Sequence, residues 1–278
     1  MRLPKMSIEQ YALALRAEGQ RIIDVGGSWW REVRPCFFRP VLPSLASSSA
    51  ACKPPWRALA GGFQHVLDSE SGANSRLQCL VFPEAESYRL DTLRSSRRCQ
   101  VQGAEDRFAV RPIEGSEEFK RVAHPAYLDF YRRTNYSYLA NRVKRERFEA
   151  WSDAVFRFEA ARVVGAFQGS TLVAASIFRV VGETMVYSVF FATAEAMKEH
   201  VSSLMLHRLR TMAAESGDIR EIYVGLRKRG RIRTIDDFYL QRGCSLQSRP
   251  ARLYLNPAVR ICLKTVRPDL MRDLLGER

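Results

Sequence analysis

The stretch Phe238-Tyr239-Leu240-Gln241-Arg242-Gly243-Cys244 decides how the C-terminal half of this chain is read. Residues 220–226 (REIYVGL) precede it and residues 248–255 (SRPARLYL) follow it, and both are rich in strand-forming side chains. Between them a short helix carries Tyr239 four residues before Gly243, where glycine permits a tight turn into the last strand. Working upstream, Val201, Leu204, Met205, Leu209, Met212 and Ala213 recur at helical spacing, and Gly217 stops that helix. Before it, residues 158–167, 171–180 and 183–191 read as strands, with Gly169 and Gly182 marking the turns of an antiparallel meander. The order from 158 to 256 is therefore three antiparallel strands, a helix, a strand, a short helix and a strand.

The first half is less regular. A helix is predicted over 7–19, with Ser7 as its cap, Gln10 three positions on, and Ile8, Tyr11, Ala12 and Leu15 on one face. A strand at 21–25 follows, closed by Gly26-Gly27. Residues 35–62 carry five prolines and Ser47-Ser48-Ser49, which is the composition of a loop. Trp29, Trp30, Phe37, Phe38 and Trp56 lie in or beside it, and they are expected to pack onto the body. Short strands are predicted at 63–67 and 78–82, a basic helix at 90–99, a strand at 107–113 and helices at 117–132 and 144–153.

The motif Tyr239–Cys244 (YLQRGC) and the element order over 158–256 resemble the GNAT acyltransferase superfamily. The resemblance implies a phenol at Tyr239 that protonates the departing CoA thiolate. The wider span 85–256 also resembles the Fem-type (FemAB-like) peptidyltransferase branch of that fold. There a basic helix precedes the strands, as Leu90, Leu93, Arg94, Arg97 and Arg98 do here. The Fem pattern prefers Phe-Lys where this chain has Phe238-Tyr239, so Tyr239 looks more like the ordinary GNAT enzymes. The implied fold is α+β, a GNAT-like mixed, mostly antiparallel sheet flanked by helices with an N-terminal appended subdomain. The implied division is 1–84, 85–256 and a C-terminal tail 257–278 holding a short docked helix.

The resemblance departs at 191–202. GNAT enzymes place a Gly-rich basic turn there, whose backbone N–H groups hold the CoA pyrophosphate. This chain reads FATAEAMKEHVS, with no Gly and with Glu195 and Glu199. Lys198, Ser202 and Ser203 remain as donors. Acetyl-CoA or another acyl-CoA is one expected donor, and aminoacyl-tRNA, implied by the Fem-type branch, is the alternative.

Tyr187 and Tyr223, on strands expected to splay beside Tyr239, are further candidates for ordering a water or the acceptor amine. Amine attack needs a base. Glu159, Glu183, Glu221, His124 and His207 are available, although His207 shares a polar helix face with His200 and Ser203 and reads as solvent-facing. The run Arg227-Lys228-Arg229-Gly230-Arg231-Ile232-Arg233 is a clamp for phosphate or carboxylate, since guanidinium suits bidentate contact.

Formal charge is +14, and residues 227–278 hold 13 basic and 5 acidic side chains. That balance expects an anionic partner, whether an acyl donor, a nucleic acid or an acidic lipid surface. The six cysteines form no CxxC pair and the four histidines have no metal-like spacing, so a reduced, cytoplasmic protein without metal is expected. No membrane span is expected, and no GxSxG, Walker or dinucleotide pattern occurs. Two functions follow: an N-acyltransferase working by direct transfer, or a catalytically inactive GNAT-like module binding nucleic acid or protein.

Overall fold

The computed structural model describes residues 2–47, 52–134, 137–228 and 233–277. In chain order its strands are β1 (Lys5–Met6), β2 (Ile22–Val25), β3 (Ser28–Arg34), β4 (Phe37–Pro40), β5 (Gly62–Val66), β6 (Ser75–Phe82), β7 (Ala109–Ile113), β8 (Arg162–Gln168), β9 (Thr171–Val181), β10 (Thr184–Ala192), β11 (Glu221–Leu226) and β12 (Ser245–Leu255). Its α-helices are α1 (Ile8–Ala17), α2 (Ser95–Glu105), α3 (Ser116–Thr134), α4 (Arg145–Phe156), α5 (Ala194–Lys198), α6 (Val201–Ser216), α7 (Arg233–Leu240), α8 (Pro257–Val266) and α9 (Pro268–Leu275). The chain is α+β, with mostly antiparallel sheet flanked by helices. It divides into two units, Met1–Met6 with Phe82–Ile222, and Ser7–Val81 with Tyr223–Arg278.

In the first unit, β7, β8, β9 and β10 pair antiparallel in sequence order, and β1 joins β9 in parallel. The meander turns as expected at Gly169 (φ +59°) and Gly182 (φ +61°), a conformation that costs glycine nothing and other residues a steric penalty. Nearly all of β9 is buried, Ser176 and Arg179 included, so it does not alternate between a buried and an exposed face. Phe119, Tyr127, Phe148 and Trp151 from α3 and α4 pack with Ile177 and Phe191 of the sheet into one aromatic-rich core.

In the second unit the strand order is β2-β3-β4-β5-β12-β6-β11. β4 and β5 run parallel, whereas β12 is antiparallel both to β5 and to β6. Strand β12 is long enough to serve both neighbours. Its residues 245–251 pair with β6 and its residues 251–255 with β5. Helix α1 opens with the expected capping box: Ser7 Oγ accepts from Gln10 N at 3.1 Å and Gln10 Oε1 accepts from Ser7 N at 2.9 Å. The tail forms two helices, α8 and α9, and Met271 and Leu274 of α9 pack on Leu253 and Leu255 of β12.

Three local readings change. Residues 35–62 are not all loop, because β4 pairs with both β3 and β5. The β3–β4 turn has no glycine to announce it: Cys36 itself takes φ +58°. Its N–H donates to Glu32 Oε1 at 2.8 Å, and that bond, with Arg21 and Arg57 nearby, holds the Glu32 carboxyl below its usual range. Trp30 and Phe38 are buried as expected, but Trp56 is 80% exposed. The basic helix expected at 90–99 is a 3-10 turn, Leu90–Thr92, followed after an extended Leu93 by α2, which runs on to Glu105.

Candidate active site

Helix α7 is short, and its contacts hold it at both ends. At its C-terminus Gly243 takes φ +88°. Cys244 N–H donates to Tyr239 O at 3.1 Å and Gly243 N–H to Leu240 O at 3.3 Å, the paired bonds of a Schellman turn. Arg242, only 6% exposed, folds back over the helix. Its Nη1 donates to Phe238 O at 2.9 Å, and its guanidinium lies 3.9 Å from the Phe238 ring centre. Near the N-terminus, Asp236 Oδ2 accepts from Lys228 N–H at 2.8 Å, tying the basic segment to the helix. Gly243→Val is expected to destabilise the protein by about 1–2 kcal/mol, because a β-branched residue fits the left-handed region poorly. A denaturant melt checks this, and Gly243→Asn restores part of the loss.

Tyr239 is half-buried. Burial pushes its phenol well above the usual range, and the Cys244 thiol and the Asp236 carboxylate push the same way. The hydroxyl therefore keeps its proton across physiological pH. Asp236 is 3% exposed, and burial raises its carboxyl too. The sequence reading passed over Asp236, although its place three residues before Tyr239 sets the two on one helix face.

Tyr223 lies in β11 of the same unit and is 7% exposed, with its phenol pushed up chiefly by burial and then by the neighbouring Cys79. Arg227 extends that strand, its N–H donating to Gln78 O at 2.9 Å, and Lys228 is exposed. Arg229 and Arg231 lie outside the described residues. Tyr223, Arg227, Lys228 and Tyr239 all belong to the second unit.

The other candidates belong to the first unit. Tyr187 shares a hydrogen bond of 3.0 Å with Ser176 Oγ, beside a bulge in β10. Bulges of this kind re-aim side chains and recur next to active sites. Ser203 is buried, Ser202 half-buried and Lys198 exposed. Between β10 and α6, Thr193 caps α5, accepting from Ala196 N–H at 3.3 Å. The Ala194 N–H donates to Asp129 Oδ2 at 2.6 Å. Glu199 pairs with Arg107. Two amides of the turn are therefore engaged by the protein's own acceptors.

Most candidate bases already have partners. Glu183 pairs with Arg220 at 2.9 Å, and Glu221 accepts from Thr184 Oγ1 at 3.2 Å. His124 is buried, with Nε2 3.1 Å from Val143 O. His207 is not solvent-facing. Its ring, 11% exposed, places Nδ1 2.9 Å from Tyr88 Oη and Nε2 3.9 Å from Glu105. The long Tyr88 side chain reaches it from a segment 119 residues away, which a helical-face argument cannot foresee. Burial lowers the His207 pKa and raises that of Tyr88.

No family model and no curated protein matches the sequence. Solved structures do match, and the fold they share with this chain is GNAT-like with Fem-type features. FemX superposes with a TM-score of 0.61 over 92% of this chain and 93% of its own, at 9% identity. L-PGS from Bacillus licheniformis matches with a TM-score of 0.56 over 98% of this chain and 96% of its own, at 12% identity. A C-terminal domain from Agrobacterium fabrum, provisionally assigned to lysylphosphatidylglycerol synthetase, matches with a TM-score of 0.56 over 96% and 92%, at 13% identity.

Proposed function

We propose that this chain transfers an acyl group, and specifically an aminoacyl group, from an activated ester to an amine by direct attack. The observation that carries the choice of donor is the bond from Ala194 N–H to Asp129 Oδ2 at 2.6 Å. A CoA pyrophosphate needs free amides and positive charge at that turn, and here a carboxylate already accepts from one of them. Glu195 adds negative charge nearby. An aminoacyl ester of a nucleic acid makes no such demand on the turn. The GNAT-like fold and the lysylphosphatidylglycerol synthetase name carried by one structural neighbour agree with acyl transfer.

In this reading the amine lone pair attacks the ester carbonyl carbon, and the tetrahedral intermediate collapses with loss of the C–O bond. Tyr239 gives its proton to the departing alkoxide, and the proton shed by the attacking nitrogen leaves by way of solvent and restores the phenol. A phenol whose pKa is raised by burial suits that stronger base better than it suits a thiolate. Arg227 and Lys228 hold the anionic part of the donor. The proposed steps run on protein groups.

Thermal melts test the donor. A 3′-aminoacyl RNA minihelix at about 100 times its Kd is expected to stabilise the protein by ~2.7 kcal/mol, while acetyl-CoA leaves the melt unchanged. Stabilisation by acetyl-CoA alone would overturn the donor assignment. The +14 charge favours a second reading, a nucleic-acid-binding module without chemistry. In that case charged and uncharged minihelices give the same shift.

A further inference from the structure

Of the seven large apolar side chains left exposed among the described residues, four lie on two short segments of the second unit. Trp56 is 80% exposed and Leu59 60%, both on the 3-10 turn Trp56–Leu59. Ile261 is 65% exposed and Val266 67%, both on α8. Asn256 joins the two segments. Its Nδ2 donates to Leu59 O at 2.9 Å, its N–H donates to Gly61 O at 2.9 Å, and its Oδ1 caps α8 by accepting from Ala258 N–H at 3.0 Å. The turn therefore abuts the start of the helix. Val259 and Leu263 turn one side of α8 inward, against the cluster of Leu253, Leu255, Met271 and Leu274. Ile261, two residues on from Val259, falls on the opposite side, facing solvent.

The ionic groups on these segments are all of one sign. Residues 52–61 and 256–267 contain Lys53, Arg57, Arg260, Lys264 and Arg267 and no Asp or Glu. Arg57 reaches Glu32 at 3.6 Å and Arg267 reaches Asp269 at 3.6 Å. Lys53, Arg260 and Lys264 are exposed and make no ion pair with the described residues.

We infer that this face docks on an anionic lipid bilayer, with α8 lying in the interface plane and Trp56, Leu59 and Ile261 entering the acyl boundary. A helix that buries one side in protein and shows an aliphatic residue flanked by Arg and Lys on the other has the composition of an interfacial helix. Exposed Trp prefers the headgroup level, and neighbouring Lys and Arg are drawn to acidic headgroups. A second copy of the chain is the poorer occupant, because a two-fold interface would set this positive face against itself. A nucleic acid would meet the charges but gain nothing from three exposed aliphatic side chains. No helix among the described residues is long and apolar enough to cross a membrane, so the contact is peripheral. The inference stands whether or not the acyl-transfer reading holds.

The test is co-sedimentation of the full chain with vesicles, pure phosphatidylcholine against phosphatidylcholine containing about one third phosphatidylglycerol. Binding is expected to the acidic vesicles and to fall at least ~10-fold in Arg260→Glu/Lys264→Glu. Ile261→Asp and Trp56→Ser each weaken it, with melting temperatures unchanged because both side chains face solvent. Brominated lipid quenches the wild-type emission and quenches Trp56→Phe much less. Equal binding by wild type and all variants, or no preference for acidic vesicles, overturns the inference. So does a concentration-dependent dimer in lipid-free sedimentation velocity that Trp56→Ser abolishes, since that assigns the face to a second copy.

Discussion

Replacing Tyr239 by phenylalanine lowers the rate of acyl transfer by ~10²-fold or more, the usual scale for losing a positioned general acid. The ring stays, the half-buried packing stays, and the turn bonds from Cys244 and Arg242 to Tyr239 O are made by backbone. The substitution therefore keeps the ring and the backbone turn and removes the hydroxyl. The loss appears in kcat with KM nearly unchanged, because the proton is needed only as the leaving group departs. Tyr239→Phe with full activity would remove this phenol from the chemistry. A coincident collapse of the melting temperature would mark it as a packing residue instead, and a melt on the same sample separates the two.

The second large effect concerns stability. Phe119→Ala in α3 is expected to cost ~3–5 kcal/mol, the range for deleting a fully buried aromatic ring. Phe119 is 0% exposed and meets Phe148, Trp151, Phe156 and Phe191 at centroid distances of 5.7, 5.8, 5.8 and 6.3 Å. Those neighbours come from α4 and β10, so they cannot close together over the cavity without moving the sheet. A drop in melting temperature on the order of 10 °C follows. Phe119→Leu, which keeps most of the volume, loses much less. If Phe119→Ala unfolds at the wild-type temperature, the aromatic core is not what holds α3 and α4 to the meander.

Some of this was legible in the sequence and some was not, for physical reasons. The meander was legible because its turns need left-handed residues and glycine occupies both, at Gly169 and Gly182. The start of α1 was legible because a capping box is a pattern four residues long. The turn after α7 was legible for the same local reason, through Gly243. The β3–β4 hairpin was hidden because Cys36, not glycine, takes the left-handed position, and the surrounding prolines read as loop. Side-chain partners distant in sequence were hidden altogether. Asp129 meets Ala194 across 65 residues, and Tyr88 meets His207 across 119. Asp236 drew no notice in the sequence, and only the fold shows it buried beside Tyr239. Trp56 failed in the opposite direction: its size predicted burial, and it stands in solvent.

The donor assignment is tested most directly by following labelled acyl groups. Aminoacyl-tRNA carrying labelled amino acids and acetyl-CoA carrying labelled acetyl are each incubated with the wild-type protein, Tyr239→Phe and a mixture of primary-amine acceptors. Label leaving the tRNA ester for amide products faster with wild type than with Tyr239→Phe, and none moving from acetyl-CoA, is the predicted result. Label moving from acetyl-CoA while the tRNA ester stays intact would contradict it.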